Sequence, residues 1–548
     1  MDVGAFTRFH VAVVDLSTQL RHRWNDTLAG HLWLPRTCVY LSLMAHAGWY
    51  VLLAVTLLAG RPGPLFAEPI APTHEAVALA ELAQALGTVS GSRLLGDVTR
   101  FSQAEFNGRQ TGTPDDRRTA LLVATLFHSL GLQPAGTEAL GPGDEPWAQT
   151  TRVTTTRIAA DPLLELSVGA LALTALVGTN YLPVLDSPSV NVTAPIVFVG
   201  YGISDPARGL DEYAGLDVRN RIVMFLRGKP ERYDTHVTQA EKERVAREKG
   251  ALAFLTFTGP ILSAYEARRG LGPGPIASYT MITPGERPIP GCWITTQVAE
   301  QLFMAQDRSL REVQERVNST MTSQSFATAA LARLSWGSTQ EPGTLFNVLG
   351  ALPGDDAAKP EETIVIGAHR DHFGRQAGLL FAGADDNASG TAVLLEAARA
   401  LAQAGTKPRR TILFASFSGE EQNLQGSRLY VSRPPRPLST TGAMINVDHT
   451  GIGNGRLMVG VAGLPKTVGS NAGNLSGLAE KLDLFGFFPG GDHVPFKEAG
   501  VPTFTVVSAG AHPHFHQPSD RPETVQPEIL EAAARYVVTL AWQLANAP

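Results

Sequence analysis

Residues Thr363–Val431 limit what this chain can fold into more than any other stretch. Two apolar, β-branched runs, Thr363–Ala368 and Thr411–Phe417, each end on side chains of the kind that hold metals. These are His369-Arg370-Asp371-His372 after the first run and Gly419-Glu420-Glu421 after the second. Between them Val393, Leu394, Ala397, Ala398 and Leu401 recur at helical spacing, which predicts a helix over about Ser389–Gln403 with Gly405 at its exit. Strand, polar loop, helix and strand make a βαβ unit, and open α/β sheets carry their chemistry beyond the carboxyl ends of the strands. His369, Asp385 and Glu421 are therefore expected to converge on one edge.

Two further positions join them: Asp448, at the end of the apolar run Ala443–Asp448, and His516, after the run Val501–Ser508. A donor set of imidazole nitrogen and carboxylate oxygen suits zinc and related divalent ions. The chain has two cysteines, Cys38 and Cys292, so neither a cysteine-based zinc site nor a disulfide framework is available. Two imidazoles and three carboxylates can serve two divalent ions if one carboxylate bridges, and such ions sit about 3.5–4 Å apart. Asp385 is the expected bridge. In the Glu420-Glu421 doublet one carboxylate can bind metal while its neighbour takes a proton from water, so Glu421 is assigned as ligand and Glu420 as base. Asp371 is placed to hydrogen-bond the far nitrogen of His369 and fix its tautomer.

The segments GAHRDHFG, GADDNASG, FSGEEQNLQGS, NVD, GGDHVPF and HPHFHQPSD, in this order, closely resemble the co-catalytic zinc aminopeptidases. That family also includes glutamate carboxypeptidases, glutaminyl cyclases and the catalytically silent transferrin receptors. The similarity covers most of the chain beyond about residue 75. Phe106–Gly136 looks like the family's N-terminal catalytic segment, and VFVGYGI with DEYAGLDVRNRIVMFLRG looks like its protease-associated insertion. The resemblance implies an α/β/α sandwich on a mixed sheet, with one zinc on His369, Asp385 and Asp448 and a second on Asp385, Glu421 and His516. It also implies Glu420 as base and a non-proline cis peptide between Asp385 and Asp386. Where relatives commonly have Tyr before the last ligand this chain has Phe515, which cannot donate a hydrogen bond to a scissile carbonyl; either His512 or His514 takes that task, or the reaction relies on metal polarisation alone at some loss of rate. His449 replaces a more usual Met and reads as a packing residue beside the site.

The rest of the chain is read around this centre. Leader 1–67 precedes a catalytic segment over 74–155, a β-rich insertion over 156–330 and the zinc-binding segment over 331–548. Arg109, in the Gly-rich loop before a helix opening at Thr113-Pro114, is expected to be a structural anchor. Further helices are expected over Thr238–Lys249, Asn474–Leu482 and Gln526–Asn546. An apolar core from Trp49 to Ala59 with small residues up to Ala67 has the form of a signal peptide starting at Met44. The alternative joins 38–60 into one membrane anchor. Both place the folded part outside, secreted or periplasmic.

A net charge of -6 and no basic stripe exclude nucleic acid as a partner. The expected activity is removal of N-terminal residues from peptides. Rivals are a carboxypeptidase, for which Arg370 and Arg375 are few cationic clamps, a one-zinc glutaminyl cyclase and a silent binding module. Asn191, Asn318 and Asn474 open glycosylation sequons.

Overall fold

The computed structural model describes residues 74–548, apart from 264–265, 268–271, 273 and 282–284. The leader expected over 1–67, with Cys38 and the apolar run 38–60, lies outside the described residues. Among those described, no helix is long and apolar enough to cross a membrane.

The larger sheet has nine strands among the described residues. In chain order they are β1 Gln133–Pro134, β2 Ala148–Ile158, β3 Ser338–Leu352, β4 Thr363–His369, β5 Thr411–Phe417, β6 Thr441–Val447, β7 Leu457–Ala462, β8 Leu482–Phe485 and β9 Thr503–Ser508. The spatial order is β1-β3-β5-β4-β6-β9-β7-β8, with β2 also paired to β3. Strands β5, β4, β6 and β9 run parallel, and β4 lies in the middle of that group with Thr363 opposite Thr411 and His369 opposite Phe417. Because side chains alternate along a strand, Ile364 and Ile366 face one layer while Val365 faces the other.

The first layer includes the helices α1 His74–Thr88, α2 Gly91–Phe101, α3 Pro114–Ser129, α4 Gly390–Ala402 and α5 Pro527–Asn546. Their apolar stripes, including Leu94, Phe127, Leu394 and Leu540, pack with Ile364, Ile412 and Ile445 into one buried core. Helix α3 begins where the sequence signals it, with Thr113 capping Asp116 N and Pro114 in the first turn. On the opposite face Val365, Leu413 and Met444 pack with Tyr430 and Phe496 from the short helices Gln425–Ser432 and His493–Glu498. This is a mixed α/β architecture in three layers.

The helix expected over Asn474–Leu482 is displaced. A helix runs over Lys466–Ser476 and stops at Gly477, whose φ of 76° is left-handed, and Leu482 instead opens β8. Glycine ends the helix at low cost, and the alternating Leu482 and Leu484 then suit a strand paired to β7.

Between β2 and β3 the chain builds a second sheet, of eight strands among the described residues. Its centre, Val190–Phe198, Ile222–Leu226, Ala253–Phe257 and Gly291–Ile294, is parallel. Phe326–Trp336 closes it antiparallel to Val190–Phe198 before the chain returns through β3. Strands β2 and β3 pair along their length, Ile158 opposite Ser338 and Ala148 opposite Val348, so the insertion leaves and returns at one point. The core of this second sheet takes in Phe373, Ala377 and Phe381, which belong to the hairpin just after His372. Cys292 is buried in it as a free thiol.

Candidate metal centre

His369 is the last residue of β4, Glu421 follows β5, and Asp448 follows β6, so three adjacent parallel strands deliver them to one edge. The loop after β9 brings His516 to the same place. His369 Nε2 lies 3.4 Å from Asp448 Oδ1 and 3.5 Å from Asp386 Oδ1. On the other side of the Asp386 carboxylate, its Oδ2 lies 3.1 Å from His516 Nε2, which is also 3.5 Å from Glu421 Oε2. His372 joins this second group, with Nδ1 2.7 Å from Glu421 Oε1 and 4.0 Å from Asp386 Oδ2.

The shared carboxylate is therefore that of Asp386, not Asp385, and this corrects the expectation for the bridge. Asp385 turns away from both groups. Its Oδ1 accepts from Gly451 N at 2.7 Å and Ile452 N at 3.1 Å, while Oδ2 lies 2.7 Å from His512 Nδ1 and 3.5 Å from His449 Nδ1. The non-proline cis peptide likewise falls one residue later, between Asp386 and Asn387. The cause of the displacement lies in Asp520, whose two oxygens accept from Asp385 N at 2.8 Å and Asp386 N at 3.0 Å and fix the turn of the loop. Asn387 secures the far side, donating to Val447 O and accepting from Gly390 N at the start of α4.

A second ring of contacts holds the donors in place. His369 Nδ1 lies 3.6 Å from Asp371 Oδ1 and 3.3 Å from the Asp371 carbonyl, and Asp371 accepts in turn from Thr111 Oγ1 and from Glu420 N. Arg109 is buried and donates to the carbonyls of Phe101, Arg370, Ala382 and Gly383, tying the loop before α3 to the segments on either side of the site. Arg370 is equally buried and paired with Asp116 of α3 at 2.6 Å. The insertion also reaches the centre. His516 Nδ1 lies 2.8 Å from Ala277 O and Ala277 N donates to His516 O, a two-way clamp that aims Nε2 at Asp386 and Glu421.

Other expected contacts fall elsewhere. His514 faces Ser519 Oγ at 2.9 Å, outside both donor groups. His512 faces Asp385 on one nitrogen and Ser508 O on the other, so neither nitrogen is turned to the shared carboxylate. Phe515 stacks on the His516 ring at 3.6 Å between centroids and offers only its face. The sequence reading missed Asp386, His372, Asp520 and the Ala277 clamp. Asp386, His372 and Asp520 stand inside the quoted motifs, so residue type was available as a signal and side-chain direction was not. For Ala277 there was no signal, because the contact is made by backbone.

Charge in the site follows from burial against neighbours. Burial opposes the charge on His369, but the carboxylates of Glu420 and Asp448 outweigh it and hold its pKa well above the ordinary value. Burial lifts Glu420 well above the usual carboxylate range, with Asp448 and Asp492 adding to it against His369. Glu421 rises for the same reason, reinforced by Asp386 and Glu420. Asp386 moves the other way: burial is overcome by the His449 charge and the hydrogen bond from His516. Burial raises Asp520 to about 8, helped by the Asp385 charge.

Among the buried side-chain atoms without a hydrogen-bond partner are His369 Nε2, His372 Nε2 and Asp448 Oδ1. Leaving such groups unpaired costs roughly 1–3 kcal/mol each, so His369 Nε2 and Asp448 Oδ1, both orphaned and 3.4 Å apart, point to a missing shared partner. A cation fits: His369, Asp386 and Asp448 offer ligand atoms mutually within 4.8 Å, as do His372, Asp386 and Glu421. The donor set is nitrogen and carboxylate oxygen only, which suits zinc. A cavity of about 610 Å³ opens beside the centre, with His449 and His512 at one end and Met458, Leu484, Phe485, Phe487 and Phe488 along its walls. A larger one, of about 800 Å³, lies in the insertion around Tyr201, Trp293 and Lys242, and none of the donor residues lines it.

Residues 347–541 match the model of peptidase family M28. Leucine aminopeptidase 1 of Ajellomyces dermatitidis is 30% identical over 229 residues, which is 38% of this chain and 58% of that protein. The chain thus spans less than two thirds of the length of the curated relatives it matches. Among solved structures, a zinc aminopeptidase from Bacillus subtilis aligns with 84% of this chain and 96% of its own at 22% identity and a TM-score of 0.56. A peptidase M28 precursor from Shewanella amazonensis covers 86% of this chain and 96% of its own at 20% identity and a TM-score of 0.62. These two likenesses concern the fold, which reaches well beyond the segment matched in sequence. With its donors at the ends of three neighbouring parallel strands, the segment 347–541 is similar to peptidase family M28.

Proposed function

We propose that the chain is a zinc-dependent aminopeptidase that holds two zinc ions per chain and releases N-terminal residues from peptides. The observation that carries this reading is the position of Asp386, whose two carboxylate oxygens face separate donor groups, with Glu420 directly before Glu421 and its backbone N bonded to Asp371. His369 and Asp448 would hold one ion and Glu421 and His516 the other, with Asp386 shared and His372 held against Glu421. Zinc bound there supplies Lewis acidity, which makes a water acidic and polarises a carbonyl. Glu420 is then the group that takes the proton from water and hands it to the departing amine.

Two features favour an N-terminal substrate over a C-terminal one. A carboxypeptidase needs cations to clamp a terminal carboxylate, but Arg370 is buried against Asp116 and Arg375 is exposed and bonded to Asn107. The cavity beside His449 is walled by phenylalanine and leucine, so a large apolar side chain at the first residue is the expected preference. Turnover of a leucine anilide should exceed that of an aspartate anilide by about tenfold or more, the discrimination an apolar pocket gives against a desolvated charge. The leader 1–67 is read as an export signal, and the insertion as a protease-associated domain.

Glu420→Gln is the direct test. It keeps the shape of the side chain and removes the proton acceptor, so hydrolysis should fall by about 10²–10⁴-fold with zinc content unchanged. Turnover equal to wild type would refute the assignment.

A further inference from the structure

We infer that Tyr279, carried by the insertion, donates a hydrogen bond to a backbone carbonyl of the peptide substrate on the Glu421–His516 side of the centre. The inference rests on the peptidase reading above and adds a residue that neither the motifs nor the donor set contains.

The placement comes from three neighbours of the ring. Tyr279 packs at 5.9 Å between centroids on Phe373, which itself lies 4.5 Å from His372 and 4.7 Å from His516. Its hydroxyl lies 3.3 Å from Gln110 Nε2 and 3.5 Å from Gln422 Nε2. Gln422 follows Glu421 in sequence, and Gln110 is bridged to His372. Two residues before Tyr279, Ala277 clamps His516. All the contacts of this tyrosine thus abut one half of the centre.

The direction of hydrogen bonding gives it a task. Gln110 Nε2 also donates to Thr156 O at 2.8 Å, which fixes that end of the amide as nitrogen. The phenol oxygen therefore accepts from Gln110 and from Gln422, and its own proton is turned to neither. Among the described residues the hydroxyl makes no hydrogen bond as a donor. A phenol with its oxygen occupied and its proton free is a preset donor. Tyr279 is half-buried.

The orientation of the substrate follows from the apolar cavity. That cavity opens on the His449–His512 side, so a peptide with its first side chain there runs its backbone across Asp386 toward Glu421 and His516. The acceptors it carries along that path are carbonyl oxygens. Phe515, stacked on His516, has none to offer in return and no proton to give.

Tyr279→Phe keeps the ring on Phe373 and deletes only the hydroxyl. In the full-length, zinc-loaded protein, kcat/KM for tri-leucine should fall about tenfold or more, in the range seen when a preset donor is removed, while zinc content and Tm stay at the wild-type values. A second measurement needs no turnover: in the Glu420→Gln background, calorimetric binding of tri-leucine should weaken about fivefold or more when Tyr279→Phe is added. Unchanged kcat/KM together with unchanged binding overturns the inference. So does a loss of zinc or of Tm that accounts for the lost activity, since that would make the hydroxyl part of the scaffold. If Glu420→Gln turns over normally and yet Tyr279→Phe weakens binding, the reaction reading fails while the substrate contact stands.

Discussion

Asp385 and Asp386 carry the same charge and differ only in what faces them. Asp386 has imidazoles of both donor groups on its oxygens; Asp385 has two backbone amides and His512. The consequences of removing each charge should therefore differ in kind. Asp386→Asn weakens a donor common to both positions, and zinc bound per chain should drop by about half or more in metal analysis after dialysis. Asp385→Asn leaves the ligands in place and disturbs the loop that aims them, so zinc should bind at saturating concentration while affinity or turnover falls about 10–100-fold, as for partners behind a ligand. Loss of zinc from Asp385→Asn alone would reverse the assignment. The doublet also marks where sequence stops informing. Metal-type residues at strand ends were legible as His369, Glu421 and Asp448, because strand period and polar loop fix their place. Which neighbour in a doublet faces inward depends on the peptide torsions of the loop, and Asp520, which sets them, lies far along the chain.

At the scale of elements, the strands and helices with strong periodicity were readable to within a residue or two: β5 and α4 stand where the apolar pattern puts them, and α5 opens one residue after its expected start. The pattern failed at Lys466–Ser476, where small residues leave little apolar stripe to read and Gly477 alone decides the end. What periodicity could not give is how α3 is fastened to the site. Asp116 in its first turn pairs with buried Arg370 and accepts from Ser418 Oγ, so one carboxylate joins α3 to the ends of β4 and β5. Asp116→Asn keeps the shape of the side chain and removes its titration. The pH dependence has a definite sign. Burial raises the folded-state pKa to about 6 against an ordinary 3.8, so the folded form holds this proton more tightly than the unfolded one. That contribution is present in full below about 3.8 and is lost as pH rises through 6. Urea unfolding of the Asn variant across that interval should show a flatter slope than wild type, and an unchanged slope would show that Asp116 does not titrate there.

At the scale of the molecule, the ring of Phe373 is one of the points where the two sheets meet. Phe373 belongs by sequence to the loop after β4, yet it is buried in the core of the inserted sheet and touches the rings of His372 and His516. The insertion thereby does two things for the centre: it supplies the Ala277 carbonyl that orients His516, and it walls in the ring on which both imidazoles rest. A β-rich insertion was legible from its strands and Gly-Pro punctuation, but this coupling was not, since neither Phe373 nor Ala277 is of a type that signals metal binding. If the coupling is real, stability and zinc affinity should separate by position within one core. Phe373→Ala removes a ring buried to 1% exposure and should cost about 3–5 kcal/mol. It should also free both imidazoles and weaken zinc binding about 10–100-fold, measured by competition with a chelator at a temperature where the variant is folded. Phe198→Ala empties a comparable volume in the same core, against Phe303 and Phe326, with no donor in contact. It should lower Tm to a similar extent and leave zinc affinity within about twofold, because sites without shared partners act independently. Equal losses of zinc affinity in both variants would mean that the inserted sheet acts on the centre only through global stability, and the specific link through Phe373 would have to be abandoned.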